Sequence, residues 1–260
     1  MKILFIGDIV GKPGRTALKK GLPQLRSQFD IDLVIANAEN AAGGFGITEQ
    51  VGKEILALGV DVMTSGNHIW DKKDAIEYIA KENRLLRPAN YPDGVPGHGT
   101  IIVKTSKGEK AAVLNISGRV FMNQLDSPFT IAKKQVALLK KETNIIIVDI
   151  HAEATSEKLA IGFYLDGEVS AVIGTHTHVQ TADEQILPKG TAYLTDVGMT
   201  GPTDSILGVE KGLVLSRFLT HIPVRFETAN GESVLSCALI DIDAATGRST
   251  AIERIQLKFP

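Results

Sequence analysis

Short apolar runs alternate with longer stretches of helical periodicity along the first half of the chain. The runs predict strands over residues 2–6, 32–36 and 61–64. The stretches that follow them predict helices over residues 15–28, 48–58 and 71–81. Pro23 is expected to kink or split the first helix, and Asp71 is expected to cap the third. This alternation is typical of βαβ units with a parallel sheet.

The second half of the chain carries more strands and fewer helices. Strands are predicted over residues 100–105, 111–116, 144–150, 169–174, 192–195, 224–226, 234–242 and 251–258. A turn at residues 106–109 joins the first two as a hairpin. Helices are predicted over residues 130–141 and 210–218. Because no repeat or linker divides the chain, the pattern predicts one α/β domain with mixed sheets over residues 1–260, ending in antiparallel sheet.

Composition narrows the range of functions. Hydrophobic residues make up 43% of the 260 residues and charged residues 22%, which is typical of a globular protein that folds on its own. The formal charge of -2 and the pI near 6.3 give no global positive field, so strong non-specific nucleic-acid binding is not expected. Cys237 is the only cysteine, which excludes an intrachain disulfide and a thiolate cluster, and its apolar neighbours indicate a core position.

The first residues of the chain do not resemble a secretory signal. The apolar run that starts at Lys2 ends after a few residues at Gly7 and Asp8, whereas a signal peptide needs a longer run and a small-residue cleavage site. No segment approaches the roughly 18 uninterrupted apolar residues of a membrane span. We therefore expect a cytoplasmic protein without a membrane partner, and the sequence leaves a homo-oligomer open.

Side chains that suit metal ions follow the ends of five predicted strands. They are Asp8, Glu39, Asn40, Asn67, His68, His151, His176 and His178. Ligands of open α/β sheets bind outside the carboxyl ends of the strands, so these side chains should converge at one edge. Taken singly, Asp8 would more often cap a turn, Glu39 would lie on the surface, and His151 would be structural. Four of the six histidines fall at these strand ends, so the whole pattern favours a metal site.

The sharpest local signal is His176-Thr177-His178. Residues two apart in an extended chain point to the same side, so both imidazoles are expected to face one metal centre. Asp149 has the same spacing from His151 and is expected to orient that ring rather than to coordinate. Carboxylate, amide and imidazole ligands suit manganese, iron or zinc. Two such ions about 3.5–4 Å apart lower the pKa of a water held between them and stabilise an in-line displacement at phosphorus.

His68 directly follows the candidate ligand Asn67. Adjacent residues of an extended segment point to opposite sides, which leaves His68 free to act on the substrate. An imidazole can donate a proton to a leaving alkoxide at neutral pH, and a structural histidine is the alternative. His98 and His221 are interpreted as structural.

Two glycine-rich segments lie near the candidate ligands. Residues 7–14 are one residue short of a phosphate-binding loop and place Pro13 where that loop needs Ser or Thr. Residues 41–46 are better explained as a flexible loop beside Glu39 that allows a substrate to approach closely. Neither segment predicts a nucleotide-binding loop of a known type.

These residues together resemble a known family. The succession Gly7-Asp8, Glu39-Asn40, Gly66-Asn67-His68, His151 and Gly174-Thr175-His176-Thr177-His178 is similar to the motifs of the calcineurin-like metallophosphoesterases. Residues 7–11 and 38–44 resemble, more narrowly, the bacterial YmdB-like branch of that family. The resemblance runs from Asp8 to about Gly201 and rests on ordered, specific motifs.

The resemblance implies a four-layer α/β/β/α sandwich with a dinuclear metal centre. It implies that one metal binds Asp8, Asn40 and His178. It implies that the other binds Asn67, His151 and His176. Glu39 would bridge both metals and His68 would be the proton donor. The implied cofactors are two metal ions, iron with manganese as an alternative, and the implied substrates are small phosphodiesters such as 2′,3′- and 3′,5′-cyclic nucleotides.

The sequence departs from the broad superfamily at two positions. The usual Asp-x-His of the first motif is Asp8-Ile9-Val10, so one histidine ligand is missing, and Glu39 stands where an aspartate normally bridges. Both departures agree with the narrower branch, in which Asn40 can supply the absent ligand.

Two other classes of protein compete with a phosphodiesterase. One is a metal-binding regulatory or RNA-associated protein with little turnover, which would not need the proton donor His68. The other is a dinuclear amide or lactone hydrolase, whose first strand usually ends in His-x-His, whereas here it ends in Asp8.

Overall fold

A computed structural model of the protein describes residues 1–105 and 107–260. The described helices are α1 Gly11–Gln28, α2 Glu49–Ala57, α3 Lys73–Ile79, α4 Pro128–Leu139, α5 Thr155–Tyr164 and α6 Lys211–Thr220. The described strands are β1 Lys2–Ile6, β2 Asp8–Ile9, β3 Leu33–Asn37, β4 Val62–Thr64, β5 Thr100–Lys104, β6 Lys110–Ser117, β7 Ile146–His151, β8 Ala171–Thr175, β9 Gln185–Ile186, β10 Ala192–Leu194, β11 Met199–Pro202, β12 Ser233–Ile242 and β13 Ser249–Phe259.

The strands form two mixed sheets. The first has the order β2-β11-β12-β1-β3-β4, and β13 also pairs with β12. The second has the order β5-β6-β7-β8-β10-β9. The pairs β1–β3, β3–β4, β6–β7 and β7–β8 are parallel, whereas β5–β6 and β12–β13 are antiparallel. The predicted parallel units, hairpin and antiparallel end are therefore confirmed.

Successive side chains of a strand point to opposite faces of its sheet, so the buried side chains form separate layers. Leu4 and Ile6 of β1 pack with α1, α2 and α3. Ile3 and Phe5 of the same strand face the opposite way and pack against Ile147 and its neighbours in the second sheet. The outer face of the second sheet packs against α4 and α5. The layers are thus α/β/β/α, as predicted.

The predicted split of the first helix and the predicted cap of the third helix are wrong. The first helix starts at Gly11 and runs without a break to Gln28, with Pro23 inside it. Pro23 lies on the solvent side, where water can meet the carbonyl that its missing N–H leaves unbonded, while Leu22 and Leu25 are buried in the core. The third helix begins at Lys73 with no side-chain cap, because the Asp71 carboxylate is instead paired with the His68 ring.

Other differences lie in the second half of the chain. Helix α5 was not predicted, because its buried face includes Lys158 and Gly162, which disrupt the apolar periodicity. The short strands β2, β9 and β11 were also missed. The strand predicted over residues 224–226 is wrong, since the structure has only an isolated bridge nearby, between Val209 and Thr228. The predicted turn at 106–109 includes Ser106, which lies outside the described residues.

The parallel strands of both sheets end at the same side of the molecule. Asn37 at the end of β3 pairs with Thr64 at the end of β4 in the first sheet. In the second sheet His151 at the end of β7 lies between Ser117 of β6 and Thr175 of β8. The loops after these strands therefore meet above the shared core. Within the described residues, no helix combines the length and the apolar character needed to cross a membrane.

Candidate metal centre

The structure brings all the predicted site residues together where the strands end. Asp8 lies in β2, the short strand that follows β1. The loop after β3 carries Glu39 and Asn40, and the loop after β4 carries Asn67 and His68. His151 ends β7, and His176 and His178 follow β8. These residues are contributed by both sheets, so the site lies across the edge of the sandwich.

One group of side chains surrounds the His151 ring. Its Nε2 lies 3.0 Å from Glu39 Oε1, 3.1 Å from Asn67 Oδ1 and 3.1 Å from His176 Nδ1. The possible ligand atoms of Glu39, His151 and His176 all lie within 4.8 Å of one another. Nitrogen and oxygen atoms that face each other at this spacing are arranged as the ligands of a single cation are.

A second group lies on the other side of Glu39. His178 Nε2 is 3.7 Å from Asp8 Oδ1 and 3.3 Å from Asn40 Nδ2. Asn40 Nδ2 is also 3.4 Å from Glu39 Oε1, the oxygen that reaches His151. The Glu39 carboxylate is completely buried and contacts both groups. It therefore lies between the two groups.

Unpaired oxygen atoms show that the second group also suits a cation. Asp8 Oδ1 and Asn40 Oδ1 are buried and have no hydrogen-bond partner among the described residues. Buried polar atoms are nearly always paired, because leaving one unpaired costs free energy. Carboxylate and amide oxygens are ligands for Mn²⁺ and similar ions, and imidazole suits iron, zinc and copper. The residues at both groups thus fit metal ions.

Burial and the charges of neighbouring side chains shift the pKa values of these residues. Burial raises the pKa of Asp8. Burial also opposes ionisation of Glu39, but the neighbouring His151 outweighs it and lowers the pKa of Glu39 to about 2. Burial would lower the pKa of His151, but Glu39 raises it to about 9. Burial and then the charge of His151 lower the pKa of His176 to about 3. A cation held at this group would take the place of the proton on His151.

A buried series of side-chain hydrogen bonds fixes the orientation of the His151 ring. Thr175 Oγ1 donates to Asp149 Oδ1 at 2.7 Å and therefore accepts from His151 Nδ1 at 2.9 Å. Asn37 Nδ2 donates to Asp149 Oδ2 at 3.3 Å. With Nδ1 protonated, the lone pair of His151 is on Nε2 and faces the site. Asp149 thus acts on His151 through Thr175, and burial raises the pKa of Asp149 to about 7.

The loop that carries His176 and His178 is not extended, so that part of the prediction is wrong. Both histidines have a positive φ, 96° and 63°. His176 points to His151 and His178 points to Asp8 and Asn40, so the two rings face different groups rather than one centre. Positive φ values are rare for residues with a Cβ atom, and neighbouring contacts must hold them.

Those contacts come from a buried ion pair that sequence patterns did not reveal. Asp196 Oδ2 accepts hydrogen bonds from Thr177 N at 3.0 Å and Thr177 Oγ1 at 2.7 Å. The same oxygen pairs with Lys158 Nζ at 2.7 Å, and both charged side chains are fully buried. Asp196 Oδ1 accepts from Gly198 N at 2.8 Å. Lys158 lies on α5, a helix that was not predicted, so no sequence pattern indicated this pair.

His68 is placed differently from the candidate ligands. Its backbone N–H donates to Glu39 Oε2 at 3.0 Å, and its ring Nδ1 lies 2.7 Å from Asp71 Oδ2. The ring packs edge-on against Phe45, with 5.1 Å between centroids. Its Nε2 makes no hydrogen bond to the described part of the chain. The ring is therefore oriented by Asp71 and available at Nε2, while the neighbouring Asn67 side chain points to His151.

A cavity of about 390 Å³ opens directly onto this site. Its lining includes Glu39, Asn40, His68, His176 and His178. Gly44, from the glycine-rich loop at residues 41–46, lies on its wall, as that loop was predicted to do. The volume is within the range of small-molecule sites.

Comparison with known proteins places this fold in a class, the metallophosphoesterases. Solved structures of a Thermus thermophilus hypothetical protein and a Mycoplasma pneumoniae phosphatase both superimpose with a TM-score of 0.93. The first is 43% identical and covers 100% of both chains. The second is 34% identical and covers 99% of this chain and 93% of its own.

The family is also clear from sequence comparison. The sequence model of the YmdB-like protein family matches residues 4–255, and this chain belongs to that family. It is 52% identical over 255 residues to the Bacillus subtilis protein named 2′,3′-cyclic-nucleotide 2′-phosphodiesterase, covering 98% of this chain and 96% of the relative. A putative phosphatase/phosphodiesterase of Mycoplasma genitalium is 34% identical over 99% of this chain and 93% of its own length. The predicted family is confirmed.

Proposed function

We propose that this protein is a dinuclear metal-dependent phosphodiesterase that hydrolyses 2′,3′-cyclic nucleotides, with 3′,5′-cyclic nucleotides as further substrates. The observation that carries the proposal is the position of Glu39, whose buried carboxylate contacts two separate groups of metal-suited side chains. The 52% identity to a 2′,3′-cyclic-nucleotide 2′-phosphodiesterase supports the choice of substrate. The relatives named as phosphodiesterases also favour an enzyme over a binding protein with little turnover.

In this proposal each of the two groups would hold one cation. Asp8, Asn40 and His178 would hold one of them. Asn67, His151 and His176 would hold the other. Glu39, which contacts both groups, would serve both cations. When bound, the cations supply a hydroxide nucleophile at neutral pH and neutralise charge on the phosphate oxygens. Iron or manganese suits this set of oxygen and nitrogen ligands.

His68 supplies the proton that the leaving oxygen needs. Hydrolysis of a 2′,3′-cyclic phosphate adds water across the bond between phosphorus and the 2′ oxygen, so phosphorus gains a hydroxyl and the 2′ oxygen gains a proton. Because Asp71 holds His68 Nδ1, the proton is donated from Nε2.

A panel of substrates tests the function directly. We expect the protein loaded with iron or manganese to convert 2′,3′-cyclic AMP into adenosine 3′-phosphate, and to hydrolyse 3′,5′-cyclic AMP and bis(p-nitrophenyl) phosphate. Product analysis by phosphorus NMR identifies which ester bond breaks, and chelator-treated protein is the control. Activity confined to phosphomonoesters, or undiminished after removal of the metals, would contradict the proposal.

The variant His68→Ala tests the proton donor. We expect its kcat on cyclic nucleotides to fall by about 10²–10⁴-fold, because an alkoxide leaves poorly without a proton. The fall should be much smaller on bis(p-nitrophenyl) phosphate, whose leaving group needs no acid. Metal analysis should find both ions retained, with His98→Ala as a matched control in an exposed loop. Loss of metal from His68→Ala would instead identify this histidine as a ligand.

A further inference from the structure

The cavity beside the candidate metal centre is also lined by apolar side chains. Three of the nine phenylalanines of the chain line it, Phe45, Phe218 and Phe226, which we name the aromatic wall. Leu207 and Val214 also line it. Among the described residues that line the cavity, the acidic side chains Glu39 and Glu153 contact histidines of the candidate site, whereas Arg217 lies beside Phe218 on α6.

We propose that the aromatic wall binds the nucleobase of the substrate. The inference rests on the proposed function, because it needs the phosphate to lie at the candidate metal centre beside the same cavity. A nucleotide combines an anionic phosphate with a flat, weakly polar ring. Aromatic side chains bind bases by stacking against the ring face.

Phe218 is the exposed member of the aromatic wall, whereas Phe45 and Phe226 are half-buried. Phe218 is 70% exposed, although it stands on the cavity side of α6. Val214, one helical turn earlier, also lines the cavity and is buried. A phenylalanine that served only the core would be covered, whereas one that stacks on a ligand is left open until the ligand binds.

Stacking also predicts the kind of selectivity. Every base has a ring face, so an aromatic wall accepts all of them and discriminates by contact area rather than by hydrogen bonds. We expect purine cyclic nucleotides to be better substrates than pyrimidine ones, with no strict preference between adenine and guanine.

A comparison of two substrates tests the inference. One is 2′,3′-cyclic AMP, and the other is methyl riboside 2′,3′-cyclic phosphate, which keeps the reacting ester but lacks a base. We expect Phe218→Ala and Phe226→Ala each to lower kcat/KM for the nucleotide by about 5- to 100-fold, which is the usual range for one lost stacking partner. Activity on the methyl riboside should change by less than about twofold, within the effect of an ordinary surface substitution.

Matched controls separate the wall from the rest of α6. Leu219 is 81% exposed on the same helix but does not line the cavity, so Leu219→Ala should leave both activities unchanged. Phe218→Leu keeps an apolar side chain and removes only the ring, and should lose most of the nucleotide preference. Light scattering on each variant identifies any change in assembly.

The possible results distinguish failure of the base-binding role from failure of the proposed function. Wild-type protein that hydrolyses neither compound would overturn the proposed function and this inference with it. Wild-type protein that hydrolyses both, with variants that lose both activities equally or change assembly, would overturn the base-binding role alone. The base-binding role would also be overturned if Leu219→Ala lost the nucleotide preference to the same extent as Phe218→Ala.

Discussion

Glu39→Gln is expected to abolish phosphodiesterase activity on every substrate. The substitution removes one negative charge from the centre of a fully buried site and leaves the amide to face the same partners. Substitution of residues that merely support a ligand costs about 10–100-fold in metal affinity or activity, and a bridging ligand contacts both ions, so we expect a loss of at least about 100-fold. Because one amide cannot replace a bridging carboxylate, metal analysis should find fewer ions bound per chain.

A control variant is needed to show that the loss of activity comes from the metal centre and not from the general cost of replacing a buried carboxylate. Glu157 provides the control, since it is buried on α5 and accepts hydrogen bonds from the backbone N–H groups of Arg119 and Val120 and from no candidate ligand. We expect Glu157→Gln to retain both activity and metals. If Glu39→Gln were fully active with bis(p-nitrophenyl) phosphate, the bridged mechanism would be wrong.

The location of the candidate site could be predicted from the sequence because it follows from strand topology. Parallel strands place their carboxyl ends at one edge, so residues such as His151 and Asn67 converge even though the chain separates them widely. The layers could be predicted for the same reason, since alternate residues of β1 face opposite cores. Neither inference needed the exact bounds of any helix.

Loop geometry could not be predicted in this way. An extended loop would have turned His176 and His178 to one side, but left-handed backbone at both residues directs them to different groups. Asp71 was expected to cap a helix, yet it orients His68. Both outcomes depend on contacts between side chains far apart in the chain or within an irregular turn, and local periodicity carries no information about either.

Lys158→Met is expected to weaken both the fold and the metal site. The substitution leaves Asp196 charged and buried without its cation, and breaking a buried ion pair costs about 3–5 kcal/mol in the free energy of unfolding. Asp196 also accepts two hydrogen bonds from Thr177, so its displacement releases the loop between His176 and His178. We expect metal affinity, measured by calorimetry, to fall by about 10–100-fold, as it does when residues that support metal ligands are replaced.

A control on the same helix separates these two effects. Ile161 is buried on α5 in the apolar layer beneath the second sheet, and Ile161→Ala should cost about 2–5 kcal/mol without touching the histidine loop. If metal affinity follows stability alone, both variants will bind metal equally weakly. If the ion pair holds the loop, only Lys158→Met will lose affinity at temperatures where both variants are folded. Adding Asp196→Asn to Lys158→Met should then restore much of the stability, because the unpaired charge is removed while an oxygen that can accept from Thr177 remains.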